Sequence, residues 1–115
     1  MLQKRLRLKR NEDFSKVFRF GKPFYVREIA CKAVIQNDKQ TLVGFSFSKK
    51  LFPKASKRNR VKRLFSDVIE KKFDLLPTGV NIVFYYTRRP NKTVYRDISA
   101  DIVNILSFVA KMTRN

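Results

Sequence analysis

Eight basic side chains stand between residues 49 and 63 with no acid among them: Lys49, Lys50, Lys54, Lys57, Arg58, Arg60, Lys62 and Arg63. The chemistry such a cluster offers is recognition of phosphate. The planar guanidinium fork matches phosphate oxygens, and the ammonium acts as a compact point charge. Asn59, in their midst, can both donate and accept, which suits a 2′-hydroxyl or a base edge. With a screening length of about 8 Å at physiological salt, these charges repel one another within a single patch. A polyanionic partner relieves that repulsion, and the footprint is that of a nucleic-acid binder. An acidic membrane surface is the main electrostatic alternative. For each cation alone, an ordinary solvated charge is the plain alternative.

Other chemistries are poorly supplied. The chain has no His and one Cys, Cys31, so Ser-His-Asp triads, Cys-His dyads and His- or multi-Cys metal sites are excluded within one chain. The acids that could serve a nuclease are Asp67, Glu70 and Asp74 on one outer helix face, and the i,i+4 pair Asp97 and Asp101. Both sets read as solvated helix faces or dipole partners, and no catalytic residue is expected in this chain. Cys31, in a strand, reads as an inert buried thiol. Phe14 and Phe18 lie one helical turn apart. They are either core residues or rings with open faces on which unpaired bases stack, or both.

The chain that must position these groups is 115 residues long, 43% hydrophobic and 31% charged, with 27 Lys and Arg against 9 Asp and Glu and a net charge of +18. This implies one domain, residues 1–115, able to build a real core. No apolar run approaches the roughly 18 residues of a membrane span, and no signal-peptide core follows the basic N-terminus. The expectation is a cytoplasmic, soluble protein.

The patterns predict a helix over about 12–20, capped by Asn11, with Glu12 and Asp13 in its first turn and Gly21 as C′ residue. Residues 24–35 predict one strand, or two broken near Arg27-Glu28. A turn at Gln36-Asn37-Asp38-Lys39 and a strand over 41–48 follow. A second helix, with Ser56 as candidate cap, carries Val61, Leu64, Phe65, Val68, Ile69 and Phe73 on its buried stripe. Asn59 and Arg63 then face solvent, and Arg60 and Lys62 stand on opposite flanks. Free backbone N–H groups at that helix start add to its affinity for anions. An apolar, central strand over 80–87 and a long last helix over about 93–112 complete the order. The fold class is α+β, helices on a mixed sheet, in the order α-β-β-(β)-α-β-α.

At the basic cluster the sequence resembles a family. Ser46-Phe47-Ser48-Lys49-Lys50, then Lys57-Arg58-Asn59-Arg60-Val61-Lys62-Arg63-Leu64, is similar to the signature of the bacterial ribonuclease P protein subunit. Leu8-Lys9-Arg10-Asn11-Glu12-Asp13-Phe14, with Val17, Phe18 and Gly21, resembles its first helix, and Arg88-Arg89-Pro90 resembles its step after the last strand. The resemblance implies a two-layer α/β sandwich with a mostly antiparallel mixed sheet and a left-handed βαβ crossover. It implies binding to a catalytic RNA through Ser48, Lys49, Lys50, Lys57, Arg58, Asn59, Arg60, Lys62 and Arg63. It also implies a cleft for the single-stranded 5′ leader of precursor tRNA, assigned to Phe14, Phe18, Lys32, Arg88 and Arg89.

In that family the RNA, with Mg²⁺, hydrolyses the leader from precursor tRNA, so no cofactor is expected to bind the protein tightly. A monomer in a 1:1 complex with ribonuclease P RNA is expected. A basic ribosomal or ribosome-assembly protein is the alternative function, and a protein-only nuclease a third. Three departures from the family pattern stand out. Leu51-Phe52-Pro53 occupies a loop that usually carries Gly, Ser66 replaces a frequent basic residue, and Lys32 stands where an aromatic is common.

Overall fold

The structure is a computed structural model that describes residues 6–35, 40–90 and 95–112, and the side chains of Tyr95 and Met112 fall outside it. The turn expected at Gln36-Asn37-Asp38-Lys39 and the first two residues expected in the last helix, 93–94, lie outside the described residues. The element order is α1 (Asn11–Phe20), β1 (Lys22–Val26), β2 (Ile29–Ile35), β3 (Leu42–Phe45), α2 (Ala55–Lys71), a 3₁₀ turn (Phe73–Leu75), β4 (Val80–Tyr86) and α3 (Tyr95–Met112).

The four strands form one mixed sheet in the order β1-β2-β4-β3. The first two pairings are antiparallel, and β3 runs parallel to β4, with α2 as the crossover between them. The α+β class, the order of elements along the chain and the central place of β4 are as the sequence predicts.

Strand alternation divides the sheet into two faces. Phe24, Ile29, Cys31, Ala33, Val43, Phe45, Ile82, Phe84 and Tyr86 point to the face covered by α2 and α3, where the main core sits. On the other face Leu42 and Val83 meet Val17, Phe14 and Phe18 of α1. Helices therefore cover both faces, α1 on its own side. Burial pushes the Cys31 thiol up to about 12, so it stays protonated at neutral pH.

Of the two readings of residues 24–35, the one with a break near Arg27-Glu28 holds: β1 and β2 form a hairpin with Val26 opposite Ile29. Arg27 takes a left-handed φ of 55°, as such tight turns require. Its Nε lies 3.7 Å from Asp101 Oδ1 on α3. Asp101 is therefore not the solvated residue the sequence suggested. It is buried, burial pushes its carboxyl up, and the Arg27 guanidinium works against that shift.

Two caps differ from expectation. Asn11 is the first residue of α1 and Arg10 occupies the N-cap, without a side-chain cap. Lys54, not Ser56, is the N-cap of α2, again without a side-chain cap. Gly21 ends α1 in an extended conformation (φ −72°, ψ 146°), not the left-handed one expected of a C′ glycine. It is Gly for lack of room: an added Cβ would overlap the Val17 carbonyl oxygen and approach Lys32 Cβ to 3.0 Å. Gly21→Ala should therefore lower stability by about 1–3 kcal/mol, read from the urea midpoint. An unchanged midpoint would show that α1 sits on the sheet less closely.

Candidate nucleic-acid interface

The interface begins with the anchoring of α2. Val61, Phe65, Val68 and Ile69 are buried. The Phe65 ring meets Phe47 at 5.0 Å, Phe84 at 5.9 Å and Tyr86 at 5.8 Å between centroids, mostly edge to face. Such contacts fix the rotation of the helix as well as its position. With that stripe inward, Lys57, Asn59, Arg60 and Arg63 are exposed, and Arg58 and Lys62 are half-buried. Asn59 and Arg63 face solvent as the helical spacing predicts. The first turn of α2 contains no acid and no side-chain cap, so its outward N–H groups and positive dipole end add to the cationic field.

The flanks of α2 lead to two different places. Arg60 shares a recess with Lys57 and Arg89, beside Leu51-Phe52-Pro53. Lys62 lies on the opposite flank, in a second recess with Arg7, Phe14, Gly44 and Ser66. Arg89, grouped by the resemblance with the leader cleft, is thus brought together with the α2 cations, and Arg88 is exposed beside it.

The unusual loop is ordered by its own hydrogen bonds. Leu51 N donates to Ser48 Oγ (3.2 Å) and Phe52 N to Ser48 O (2.9 Å). The Phe52 ring is buried against Phe47 and Tyr86 at 6.0 and 5.4 Å. Lys49 and Lys50 are carried outward on this turn, exposed with Ser48. Arg58 points back: its Nη1 donates to the carbonyls of Phe52 (2.7 Å) and Pro53 (3.1 Å). This guanidinium clamps the loop to the helix.

The α1 side forms the second surface. Phe14 lies over Gly44, where an added Cβ would come within 2.6 Å of its ring. Phe18 is half-buried, its ring 5.6 Å from Tyr85. Lys32 projects onto this face, donates from Nζ to the Phe18 carbonyl (2.9 Å) and sits 5.6 Å from the Phe18 ring centroid. An ammonium at the last turn of α1 also complements the helix dipole. Both Phe14 and Phe18 are thus half-buried, packed on the sheet yet partly exposed.

Sequence reasoning missed two aromatics here. Strand register sets Tyr25 and Tyr85 on either side of Ala30, two strands apart. Their phenol groups interact, and burial first, then Tyr25, pushes the Tyr85 phenol up to about 12. Alternation within each strand gave their face, but the pairing that joins them needed the register.

Among the described residues, no group of three His, Cys, Asp or Glu side chains could hold a metal ion, and no helix is long and apolar enough to cross a membrane.

Residues 2–109 match the family described as Ribonuclease P. The chain is 32% identical over 108 residues, 93% of each chain, to the ribonuclease P protein component of Pseudanabaena sp. (strain PCC 6903). It is 42% identical over 76 residues, 65% of each chain, to that of Bacillus velezensis. Its fold is similar to the RNase P protein from Thermotoga maritima (TM-score 0.78, 21% identity, 89% of this chain and 96% of that one). It is also similar to the Staphylococcus aureus RNase P protein (TM-score 0.78, 24% identity, 90% and 94%).

The geometry separates two kinds of arginine. Arg58→Ala leaves two loop carbonyls without their donor and should cost about 1–2 kcal/mol. Arg63→Ala, at an exposed site, should stay within about 0.5 kcal/mol. Equal midpoints for the two variants in urea would refute the clamp.

Proposed function

Because the chain belongs to the ribonuclease P protein family, we propose that it binds the catalytic RNA of that ribonucleoprotein through α2 and its entry loop, and the 5′ leader of precursor tRNA through the α1 side. The observation that carries this reading is the outward array on α2, Lys57, Asn59, Arg60 and Arg63, extended by Lys49 and Lys50. Only an external polyphosphate offsets so many cations at an uncapped helix start. The half-exposed Phe18, with Tyr85 and Tyr25 beside it, supplies π-surfaces that hold unpaired bases without regard to sequence.

In this reading the chain supplies position and charge. Mg²⁺ is held by the RNA, which carries out the endonucleolytic step that gives the mature tRNA 5′ end. The protein's part is to raise the effective local cation density and to hold the leader, which distinguishes precursor from mature tRNA. A monomer per RNA suffices for both roles.

At low Mg²⁺, adding the chain to a bacterial ribonuclease P RNA should rescue cleavage of precursor tRNA. No rescue, with folded protein and active RNA, refutes the proposal. A ribosomal or assembly protein would bind the RNA without favouring precursor over mature tRNA. Cleavage by RNA-free protein would move the chemistry into the chain.

Affinity for the RNA should fall about 10³-fold or more between roughly 50 and 200 mM salt. Replacing Arg60 and Arg63 with Ala should reduce the slope of that dependence by about one for each phosphate no longer neutralised. Phe18→Ala, if folded, should weaken the preference for precursor while leaving affinity for the catalytic RNA nearly intact. Equal loss of both would reduce Phe18 to a packing residue.

A further inference from the structure

The segment Leu51-Phe52-Pro53, where the sequence departs from the family pattern, builds something the charge pattern alone does not call for. Leu51, Pro53, Val61, Leu64 and Pro90 wall a recess of about 260 Å³. Lys57, Arg60 and Arg89 line the same recess, and all three are exposed. Among the described residues, no carboxylate pairs with any of them.

The wall is rigid. Phe52 is buried against two aromatic rings, and Arg58 holds the carbonyls of Phe52 and Pro53. The recess is therefore built into the folded entry to α2.

Two demands meet at this place. The apolar walls favour a flat, weakly hydrated group, and the three cations favour an anion attached to it. The volume lies below the about 300 Å³ at which pockets for drug-sized ligands begin, so the flat group is a single ring system. A base with its flanking phosphates satisfies both demands.

We propose that this recess takes one unstacked nucleotide of the catalytic RNA, the base against Leu51, Pro53, Leu64 and Pro90 and the adjoining phosphates on Lys57, Arg60 and Arg89. The inference rests on the proposed function, since the occupant belongs to the RNA that α2 binds. It adds a base-sized contact to a surface otherwise governed by phosphate. Phosphate contacts position the RNA on the protein, and a base contact of this kind adds discrimination among its nucleotides, which phosphate contacts alone do not supply.

The test is chemical probing of base reactivity, nucleotide by nucleotide, in a bacterial ribonuclease P RNA with and without the full chain. With the native chain, an unpaired base should lose reactivity. Leu51→Trp fills the recess without changing charge. It should restore that reactivity and weaken RNA binding about tenfold, within the range that base stacking covers, with the salt slope unchanged. Pro53→Trp fills the recess from its exposed mouth and is the second variant should the first not fold.

Three results would overturn the proposal. One is the absence of any base protected by the native chain. Another is folded filling variants with native affinity and a native protection pattern. The third is a weakened variant whose loss lies wholly in the salt slope. In each of these the chain still binds the RNA, so the proposed function stands. Failure of the native chain to bind the RNA at all would overturn both.

Discussion

One contest of forces underlies the surface of this protein. The α2 stripe of Val61, Phe65, Val68 and Ile69 is buried against an aromatic cluster, and that burial holds in place cations that repel one another. Each fully buried side chain of this kind contributes roughly 1.5–3 kcal/mol. A pair of exposed like charges 4 Å apart in water costs about 1 kcal/mol, and less at larger separation and with salt. Packing therefore wins in the free protein. The repulsion is tolerated rather than removed, and it is available to be relieved by a partner.

The same anchoring explains why the cations are arranged rather than scattered. Once Phe65 is seated, the rotation of α2 sends Arg60 and Lys57 toward the entry loop and Arg89, and Lys62 toward Phe14 and Gly44. The helix thus borders both surfaces, a cationic one on its outer side and an aromatic one under α1. Arg58 connects loop and helix from within, and Lys32 connects α1 to the sheet. Two members of the cationic inventory are thereby committed, at least in part, to holding the interface in shape.

Much of this was legible in the sequence because it depends on local periodicity. The break at Arg27-Glu28, the central strand β4, and the outward and flanking positions on α2 all follow from periods of 2 and 3.6. What escaped depends on contacts distant in sequence. The Tyr25–Tyr85 pair requires the registers of two strand pairings at once. Arg58 looked like any other surface arginine until the Phe52-Pro53 carbonyls came within reach. Arg89 was grouped with the leader cleft by the family resemblance alone, and the turn after β4 sets it in one recess with Lys57 and Arg60. Helix caps failed for a different reason: Asn11 and Ser56 are good capping residues, but the helices start one residue after Arg10 and Lys54.

The central claim is that folding brings like charges together and that packing, not pairing, holds them there. The direct measurement is the urea midpoint of the isolated chain as salt is raised from about 10 to 200 mM, a range over which the Debye length falls from about 30 Å to below 10 Å. The account predicts a midpoint that climbs through this range, and climbs further with sulfate than with chloride at equal ionic strength. A midpoint that stays level or falls would mean that the cations are already compensated within the fold, and would contradict it.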